Sequence, residues 1–263
     1  MCLTCGCDDE QNVRISAVYA GRDHHTDRHG HESGLGQTHD HPPDETVRTE
    51  NLDLDEQILA KNDHLAEHNR SWLRKRGITT VNVMSSPGSG KTSLLERTIA
   101  EISTTREVCV IEGDQETEFD AERIRAAGAR AVQVNTGAGC HLDAPMVQRA
   151  IDALDPTEGS LLFIENVGNL VCPALFDLGE TARVVVISVT EGQDKPLKYP
   201  HMFAAADLVV INKSDLLPYV DFDVEQCMAY ARQIKPGMPS VTISATTDNG
   251  LDPWYRWLSE LTP

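Results

Sequence analysis

The sequence predicts an α/β fold, with a mostly parallel sheet covered by helices on both faces. From about residue 51, short runs of β-branched and aliphatic residues alternate with segments of helical periodicity. The first of these runs also leads through a loop of small residues into a helical segment. Such alternation is typical of strands joined by helical crossovers, which form parallel sheets. About 210 residues are ample for one domain of this kind.

The elements follow in chain order from the spacing of apolar residues. A helix is predicted over residues 51–75, because apolar side chains recur at helical spacing there and Gly77 follows as a stop. Strands are predicted over 80–84, 108–111, 131–134, 161–164, 184–189, 208–211 and 241–243. Helices are predicted between and after them over 93–102, 120–127, 143–154, 223–234 and 252–261.

The segment before residue 51 has a different composition. Residues 21–50 are rich in His, Asp, Glu and Gly and contain only Leu35 and Val47 as large apolar side chains, so they cannot bury enough apolar surface to offset the entropy of ordering. We therefore predict a disordered linker over 8–50, between a metal motif at 1–7 and the α/β domain at 51–263. Histidine-rich tracts of this kind bind metal, although a solvated linker with incidental histidines is the alternative. The candidate auxiliary nickel ligands are His24, His25, His29, His31, His39 and His41.

The charge excludes two classes of partner. The chain of 263 residues has 41 acidic and 23 basic side chains and a formal net charge of −18. Half of this excess lies in residues 1–60, which carry thirteen acidic side chains and four arginines. Such a balance argues against nucleic acid and against anionic membranes. No stretch reaches the roughly twenty apolar residues of a membrane span, and the N-terminus lacks the layout of a secretory signal. We expect a cytoplasmic protein.

A phosphate-binding loop follows the first predicted strand, in the segment SSPGSGKTS over residues 85–93. In such a loop, backbone N–H groups wrap the phosphates, a lysine reaches the β- and γ-phosphate oxygens, and a hydroxyl binds Mg²⁺. A glycine-bearing turn before a core helix is the alternative interpretation. Ser85 replaces the usual first glycine, so we expect the flexibility to lie at Gly88 and Gly90. The candidate nucleotide-binding residues are Gly88, Ser89, Gly90, Lys91, Thr92 and Ser93, with Lys91 also catalytic and Thr92 also a magnesium ligand.

Two later strand ends indicate that the base is guanine. Asn212, Lys213 and Asp215 follow one predicted strand, at the edge where open α/β sheets bind ligands. An aspartate there can accept hydrogen bonds from the N1–H and amino groups of guanine, which adenine does not offer. Ser244 and Ala245 follow the next strand, where small backbone donors would meet the guanine carbonyl. Together with the phosphate loop, these segments resemble the first, fourth and fifth motifs of GTPases.

Two carboxylates at strand ends complete the predicted nucleotide site. Asp114 and Glu165 each lie next to a glycine-containing turn after a predicted strand. In phosphoryl transfer such groups hold Mg²⁺ directly or through water and orient the attacking water. We predict that both are catalytic and both face magnesium, and the sequence leaves open which of them contacts it directly. Helix capping or turn formation is the alternative role.

Transition-metal ligands occur at two places. Cys2, Cys5 and Cys7 can converge on one Ni²⁺ or Zn²⁺ without a folded scaffold, with a redox pair as the alternative. The second set is Cys140, His141 and Cys172, which follow neighbouring predicted strand ends. These three could meet near the γ-phosphate region, and a second subunit could complete the coordination of Ni²⁺ or Zn²⁺. A buried cysteine that only packs is the alternative.

Six segments carry a family resemblance between residues 85 and 223: SSPGSGKTSLLERT, EGDQETEFD, NTGAGCHLDAPMV, ENVGNLVCPALFDLGE, SVTEGQDKPLKYPHMF and NKSDLLPYVDFD. They resemble the HypB family, P-loop GTPases of the SIMIBI class that assist nickel insertion into [NiFe]-hydrogenase. The Cys-x-x-Cys-x-Cys motif and the His-rich tract are similar to extensions found in some members. The family phosphate loop looks like this one, including its serine.

The resemblance implies a nickel metallochaperone that hydrolyses GTP. It implies a homodimer, a HypA-type accessory protein and the hydrogenase large-subunit precursor as partners, with GTP, Mg²⁺, Ni²⁺ and Zn²⁺ as cofactors. Apart from the resemblance, we expect metal binding to be coupled to the nucleotide state, because the segment of Cys172 continues directly from a predicted switch segment that would order with the γ-phosphate. We expect slow turnover, because no arginine finger is evident and unaided GTPases are slow. The alternatives are a maturation GTPase of the urease type and a nickel store without essential GTPase activity.

Overall fold

The computed structural model of the protein describes residues 14–16, 45–114, 119–137 and 139–263. The predicted α/β fold is confirmed. The strands are β1 Arg14–Ser16, β2 Thr79–Ser85, β3 Val108–Asp114, β4 Arg130–Asn135, β5 Leu161–Glu165, β6 Ala182–Ser188, β7 Leu208–Asn212 and β8 Ser240–Thr242. The helices are α1 Glu45–Lys75, α2 Lys91–Ile102, α3 Phe119–Ala126, α4 Ala144–Leu154, α5 Lys195–Lys198, α6 Pro200–Ala205, α7 Val224–Ile234 and α8 Leu251–Glu260.

The strands form one sheet in the order β1-β4-β3-β5-β2-β6-β7-β8. Seven of them run parallel, and β1 pairs antiparallel with β4 at one edge. The chain passes from β2 through α2 to β3 on the far side of β5, so β2 lies where the strand order reverses. Ligands of open α/β sheets bind at such a point, outside the carboxyl ends of the strands. Every predicted site segment of the α/β domain leaves the sheet at this edge.

Helices cover both faces of the sheet, because successive strand residues point to opposite sides. On one face, Val81 and Val83 of β2 pack against apolar side chains of α2, α3 and α8. On the other face, two clusters bury apolar side chains of α1 and α4, and of α6 and α7. The β2 and β5 segments that precede the nucleotide site are completely buried, which fixes the point at which each of their loops begins.

Two pieces of the segment 8–50 are described, and both are regular elements. Arg14–Ser16 is the edge strand β1, and α1 begins at Glu45, six residues before the predicted helix start. The predicted metal motif at 1–7 and the histidines from His24 to His41 lie outside the described residues.

The sequence analysis missed several short elements. Helices α5 and α6 have only four and six residues, too few to display a period, and each has a proline in its first turn. Two 3₁₀ helices, Cys172–Ala174 and Ser214–Tyr219, carry one of the predicted metal ligands and one of the predicted guanine-binding residues. Tertiary packing, rather than local propensity, sets elements of this length.

Candidate functional site: a nucleotide cleft beside a thiol site

The phosphate loop joins β2 to α2 and has the backbone that its glycines predict. Gly88 and Gly90 have φ angles of 73° and 96°, and Ser85 lies within the strand. Both glycines therefore supply left-handed backbone that other residues rarely adopt. A side chain at Gly90 would place its Cβ 2.4 Å from Nδ2 of Asn212. The Nζ of Lys91 donates to the Ser85 hydroxyl over 2.8 Å, so that serine holds the buried ammonium beside the loop.

Ser89 and Ser93 are two further predicted residues of the phosphate loop. The carbonyl of Ser89 accepts a hydrogen bond from Nδ2 of Asn212 at 2.9 Å, while its buried hydroxyl has no partner among the described residues. Ser93 lines the cleft, and its hydroxyl accepts a hydrogen bond from Nη2 of Arg123 at 3.2 Å. Arg123 was not singled out in the sequence. Its guanidinium is held by Glu96 and Asp120, so it lies at the rim as part of an ion-pair cluster.

The side chain of Asn212 ties the base-recognition segments to the phosphate loop. Its Oδ1 accepts from the backbone N–H of Lys213 at 2.7 Å and of Ala245 at 3.1 Å. Lys213 has a φ of 62°, and this left-handed turn lets its Nζ donate to the Gly88 carbonyl at 2.7 Å. Three segments, the phosphate loop and the loops after β7 and β8, thus converge on one buried amide and one ammonium, although the phosphate loop lies more than a hundred residues before the other two.

Asp215 and Ser244 meet at the position predicted for the guanine base. The Ser244 hydroxyl donates to Oδ1 of Asp215 at 2.5 Å. The backbone N–H of Ala245, which was predicted to face the guanine carbonyl, donates instead to Asn212. The carboxylate of Asp215 can accept hydrogen bonds of the kind that guanine donates, while Ala245 and Asn212 brace the adjacent loop.

Thr92 and Glu165, two of the residues predicted to face Mg²⁺, lie together at the N-terminus of α2. The Thr92 hydroxyl donates to Oε1 of Glu165 at 2.7 Å. Burial raises the pKa of Glu165, while Lys91 and the Thr92 hydroxyl oppose that rise. Oε2 of Glu165 is buried and has no hydrogen-bond partner among the described residues. Asp114 lines the same cleft from the end of β3. An orphaned carboxylate oxygen beside a threonine hydroxyl fits Mg²⁺, which prefers oxygen ligands and water.

Glu112 is a second buried carboxylate that the sequence analysis missed. It lies opposite Glu165 in the pairing of β3 with β5, and it is 2% exposed. Burial raises the pKa of Glu112 to about 9, and the neighbouring Glu165 and Asp114 add to the rise. Its Oε2 also has no partner in the part of the chain that is described. The signal was present in the sequence, because residues two apart in a strand point to the same side.

These groups surround a cleft of about 540 Å³ at the carboxyl edge of the sheet. The phosphate loop forms one side, and the other side comes from the ends of β3 and β5 with Val167 and Gly168. A second cleft of about 330 Å³ lies next to it and is lined by Cys140, Lys195 and Tyr199. Pro87, Val167 and Gly168 line both clefts and form the wall between them.

The predicted thiol site is assembled at this second cleft. The Sγ atoms of Cys140 and Cys172 are 3.1 Å apart, and Nδ1 of His141 lies 3.8 Å from the sulfur of Cys140. One ligand atom from each residue lies within 4.8 Å of the others, and this is the only such three-residue group among the described residues. Two sulfurs and one imidazole nitrogen are a donor set for Zn²⁺ or Ni²⁺.

The surroundings of His141 hold its imidazole in the neutral form. Burial lowers the pKa of His141 to about 4. Its ring stacks on Phe176 with a centroid distance of 4.0 Å. Neutral imidazole is the form that binds metal, so the site needs no histidine deprotonation at neutral pH. By contrast, burial raises the pKa of both Cys109 and Cys227 to about 12, and these thiols are packing groups in the two cores.

The loops of the two sites are physically continuous. A Cβ at Gly168 would lie 3.0 Å from Cα of Pro87, so a side chain there would crowd the phosphate loop. The next residue, Asn169, donates from Nδ2 to the carbonyl of Cys140 at 3.3 Å. Cys172 follows three residues later in its 3₁₀ helix. The segment that touches the nucleotide loop therefore also carries one metal ligand and contacts another.

Comparison with known proteins decides the family. The sequence profile described as "CobW/HypB/UreG, nucleotide-binding domain" matches residues 79–242. The chain belongs to the CobW/HypB/UreG family. The match spans β2 to β8, and therefore every described site residue of the α/β domain except those of the loop after β8.

Individual relatives agree with this assignment. The chain is 54% identical over 225 residues to the hydrogenase maturation factor HypB of Azotobacter vinelandii, covering 86% of this chain and 74% of that one. It is 46% identical over 285 residues to the protein of the same name from Escherichia coli K12, covering 98% of each. A crystal structure of HypB from Helicobacter pylori in complex with nickel has a TM-score of 0.71 and 41% identity, covering 76% of this chain and 94% of that one.

None of the helices in the described residues combines the length and the apolar character that crossing a membrane requires.

Proposed function

We propose that this protein is a GTP-hydrolysing nickel metallochaperone that helps to insert nickel into the large-subunit precursor of [NiFe]-hydrogenase. The observation that carries the proposal is the wall of Pro87, Val167 and Gly168, which is shared by a guanine-nucleotide cleft and a two-thiol, one-imidazole site. A nucleotide site and a soft-metal site that share a wall suit regulated metal transfer. The names of the A. vinelandii and E. coli relatives and the nickel-bound H. pylori structure support this choice.

Hydrolysis would use the groups around the larger cleft. Lys91 would leave the Ser85 hydroxyl to contact the β- and γ-phosphates. Thr92 would hold Mg²⁺ directly, with Glu165 and Asp114 as the carboxylates near it. When bound, the metal ion would neutralise the charge that develops on the phosphates. Asp215 would select guanine, and the ion pairs that hold Arg123 at the rim agree with slow basal turnover.

Nickel is the cargo, and the thiol site is the place where the nucleotide would control it. Cys140, His141 and Cys172 offer three ligands, so a four-coordinate ion keeps one position for transfer or for a second subunit. Since Zn²⁺ accepts the same donors, it would compete for this site. The site's two cysteines are partly exposed, which gives the ion a path in and out.

The N-terminal cysteines would load this site. Strand β1 begins at Arg14, which pairs with Asn135 at the end of β4, and the chain after Asn135 reaches Cys140 in five residues. Cys7 lies seven residues before Arg14, a span of at most about 24 Å. The β1–β4 pairing thus tethers the proposed nickel-binding motif of Cys2, Cys5 and Cys7 to the edge that carries the second site. The histidines of the linker would act as auxiliary nickel ligands.

Protein partners would approach at the thiol site. Val171 and Leu175, on either side of Cys172, are 48% and 46% exposed and present apolar surface beside the thiols. We propose that a second subunit covers them to form a homodimer. A HypA-type accessory protein and the hydrogenase precursor would receive the metal there, in the cytoplasm.

Metal and phosphate measurements on the full-length chain test the proposal. We compare wild type with Cys140→Ser, with the triple variant Cys2→Ser/Cys5→Ser/Cys7→Ser and with Lys91→Ala. Nickel stoichiometry by mass analysis should fall by one site in each cysteine variant. Phosphate release from GTP should be slow in wild type and absent in Lys91→Ala. If wild type releases no phosphate from Mg²⁺·GTP, the protein is a nickel store instead.

A further inference from the structure

Asn166 is a buried amide between the two sites that none of the roles above uses. It is 1% exposed and follows directly after Glu165 at the end of β5. On its other side come Val167 and Gly168, which form the wall between the clefts. Its backbone N–H donates to the carbonyl of Val83 in β2 at 3.0 Å, so its main chain is anchored to the sheet.

The side chain of Asn166 joins a nucleotide-side peptide to a metal-side peptide. Its Oδ1 accepts a hydrogen bond from the backbone N–H of Val167 at 3.0 Å and another from that of Leu142 at 3.2 Å. Leu142 directly follows the metal ligand His141. The Nδ2 of Asn166 donates to Oδ1 of Asn82 at 3.3 Å, which holds the amide in this orientation. One carbonyl oxygen therefore carries one donor from each site.

Leu142 also packs against the end of β3, which carries Glu112 and Asp114. A Cβ at Gly113 would lie 2.8 Å from the side chain of Leu142, so that side chain packs directly on the backbone between Glu112 and Asp114. The Leu142 side chain is completely buried. Leu142, the residue next to His141, thus donates a hydrogen bond to Asn166 after β5 and packs against the end of β3, and both of these segments line the nucleotide cleft.

We propose that the Asn166 carboxamide is the positioning group that couples the nucleotide state to the Cys140–His141–Cys172 site, through its shared hydrogen bonds to Val167 and Leu142. The inference rests on the proposed function, because it names the device behind the proposed coupling. If the Val167–Gly168 peptides shift toward a γ-phosphate, the Val167 N–H leaves its place on Oδ1. The hydrogen bond between the Leu142 N–H and Oδ1 of Asn166 then changes its geometry, and the adjacent His141 moves with the Leu142 peptide. Two discrete arrangements of a packed network are what coupling between sites requires.

The coupling can be measured on the full-length chain with Cys2, Cys5 and Cys7 changed to serine. Because Cys109 and Cys227 are completely buried, thiolate-to-nickel charge-transfer absorption in this background reports Cys140 and Cys172. We titrate Ni²⁺ with GDP bound and with a non-hydrolysable GTP analogue bound, and we titrate the analogue and GDP with and without Ni²⁺. The two routes must give the same coupling factor. We expect a factor of at least about fivefold, at the lower end of typical allosteric coupling.

Asn166→Ala should reduce that factor to about one while each ligand still binds on its own. Asn69→Ala is the matched control, because Asn69 is also a buried amide. It donates hydrogen bonds to the carbonyls of Ala144 and Leu178 in the same region. It is not among the residues that line the nucleotide cleft. Asn69→Ala should lower stability and keep the coupling. A wild-type factor in Asn166→Ala, or equal loss in both variants, overturns the assignment to Asn166.

Two further results keep the outcomes separate. If the protein with Cys2, Cys5 and Cys7 changed to serine and Asn166 retained shows no coupling, the proposed coupling itself is wrong, and so is the role of Asn166. If Asn166→Ala does not fold, amide hydrogen exchange at Leu142 is compared between the GDP-bound and analogue-bound forms of the parent. Different protection supports the proposal, and identical protection overturns it.

Discussion

Replacing Glu112 by glutamine should change how the stability of the free protein depends on pH. Burial, with the repulsion of Glu165 and Asp114, raises the pKa of Glu112 from 4.5 to about 9. The folded state therefore keeps this proton up to about pH 9, whereas the unfolded chain releases it near 4.5. Since the folded state binds more protons in this interval, the contribution of Glu112 to the free energy of unfolding is fully present below pH 4.5. It is lost progressively as the pH rises towards 9.

The magnitude follows from the size of the shift. Each pKa unit corresponds to about 1.4 kcal/mol. Relative to its value below pH 4.5, the contribution of Glu112 to the free energy of unfolding is therefore lower by about 3 kcal/mol at pH 7 and by about 6 kcal/mol at pH 9. Glutamine has a similar shape and no proton to release, so Glu112→Gln should lack this loss. A buried amide in place of the carboxyl adds a constant offset of about 1–3 kcal/mol, which does not vary with pH. The difference in slope, not the absolute stability, is therefore the test.

The assay is urea unfolding of metal-free and nucleotide-free protein between pH 5 and 9. We expect the unfolding free energy of Glu112→Gln to rise relative to that of wild type as the pH increases. Glu122→Gln, on the exposed side of α3, is the control and should follow wild type. Mg²⁺ with GDP should flatten the wild-type profile, because a nearby cation favours the ionised carboxylate. Parallel profiles for wild type and Glu112→Gln would refute the reasoning.

Three other substitutions test the geometry of the two sites. Asp215→Asn removes the paired acceptors for guanine and should weaken GTP binding by at least about tenfold, which is about 1.4 kcal/mol; fluorescence titration with labelled GTP would show the reasoning wrong if affinity were unchanged. Gly90→Ala places a Cβ 2.4 Å from Asn212 at a φ of 96° and should cost about 1–3 kcal/mol of stability, measured by thermal unfolding. Cys172→Ser should remove part of the thiolate-to-nickel absorption and leave GDP affinity within about twofold, a change of less than about 0.5 kcal/mol; an unchanged spectrum would exclude Cys172 as a ligand.

Much of the nucleotide half of the site could be predicted from the sequence, because it consists of contiguous motifs. The phosphate loop keeps its spacing from Ser85 to Thr92 in any strand–loop–helix context, so its backbone angles followed from its glycines. Glu112 escaped notice because its importance depends on pairing with Glu165 across two strands. The spacing to Asp114 indicates that Glu112 points to the same side of the sheet, but its register with Glu165 is set by the packed sheet.

The thiol site also depends on contacts between residues that are far apart in the chain. Cys140 and His141 are adjacent in the chain, but Cys172 is 32 residues away, and only the neighbouring positions of β4, β3 and β5 in the sheet bring its sulfur to 3.1 Å. Short elements such as the 3₁₀ helix at Cys172 were missed, since three residues carry no periodicity.

The sequence by itself determined the fold class, the guanine-nucleotide motifs and the ligand types, because each is written in local spacing and residue chemistry. Only the tertiary structure decided which groups share an environment. It placed two carboxylates side by side out of water, set a neutral imidazole beside two thiols, and put the amide of Asn166 between the two sites. Burial and contact arise from long-range packing, and that packing turns a set of motifs into two connected sites.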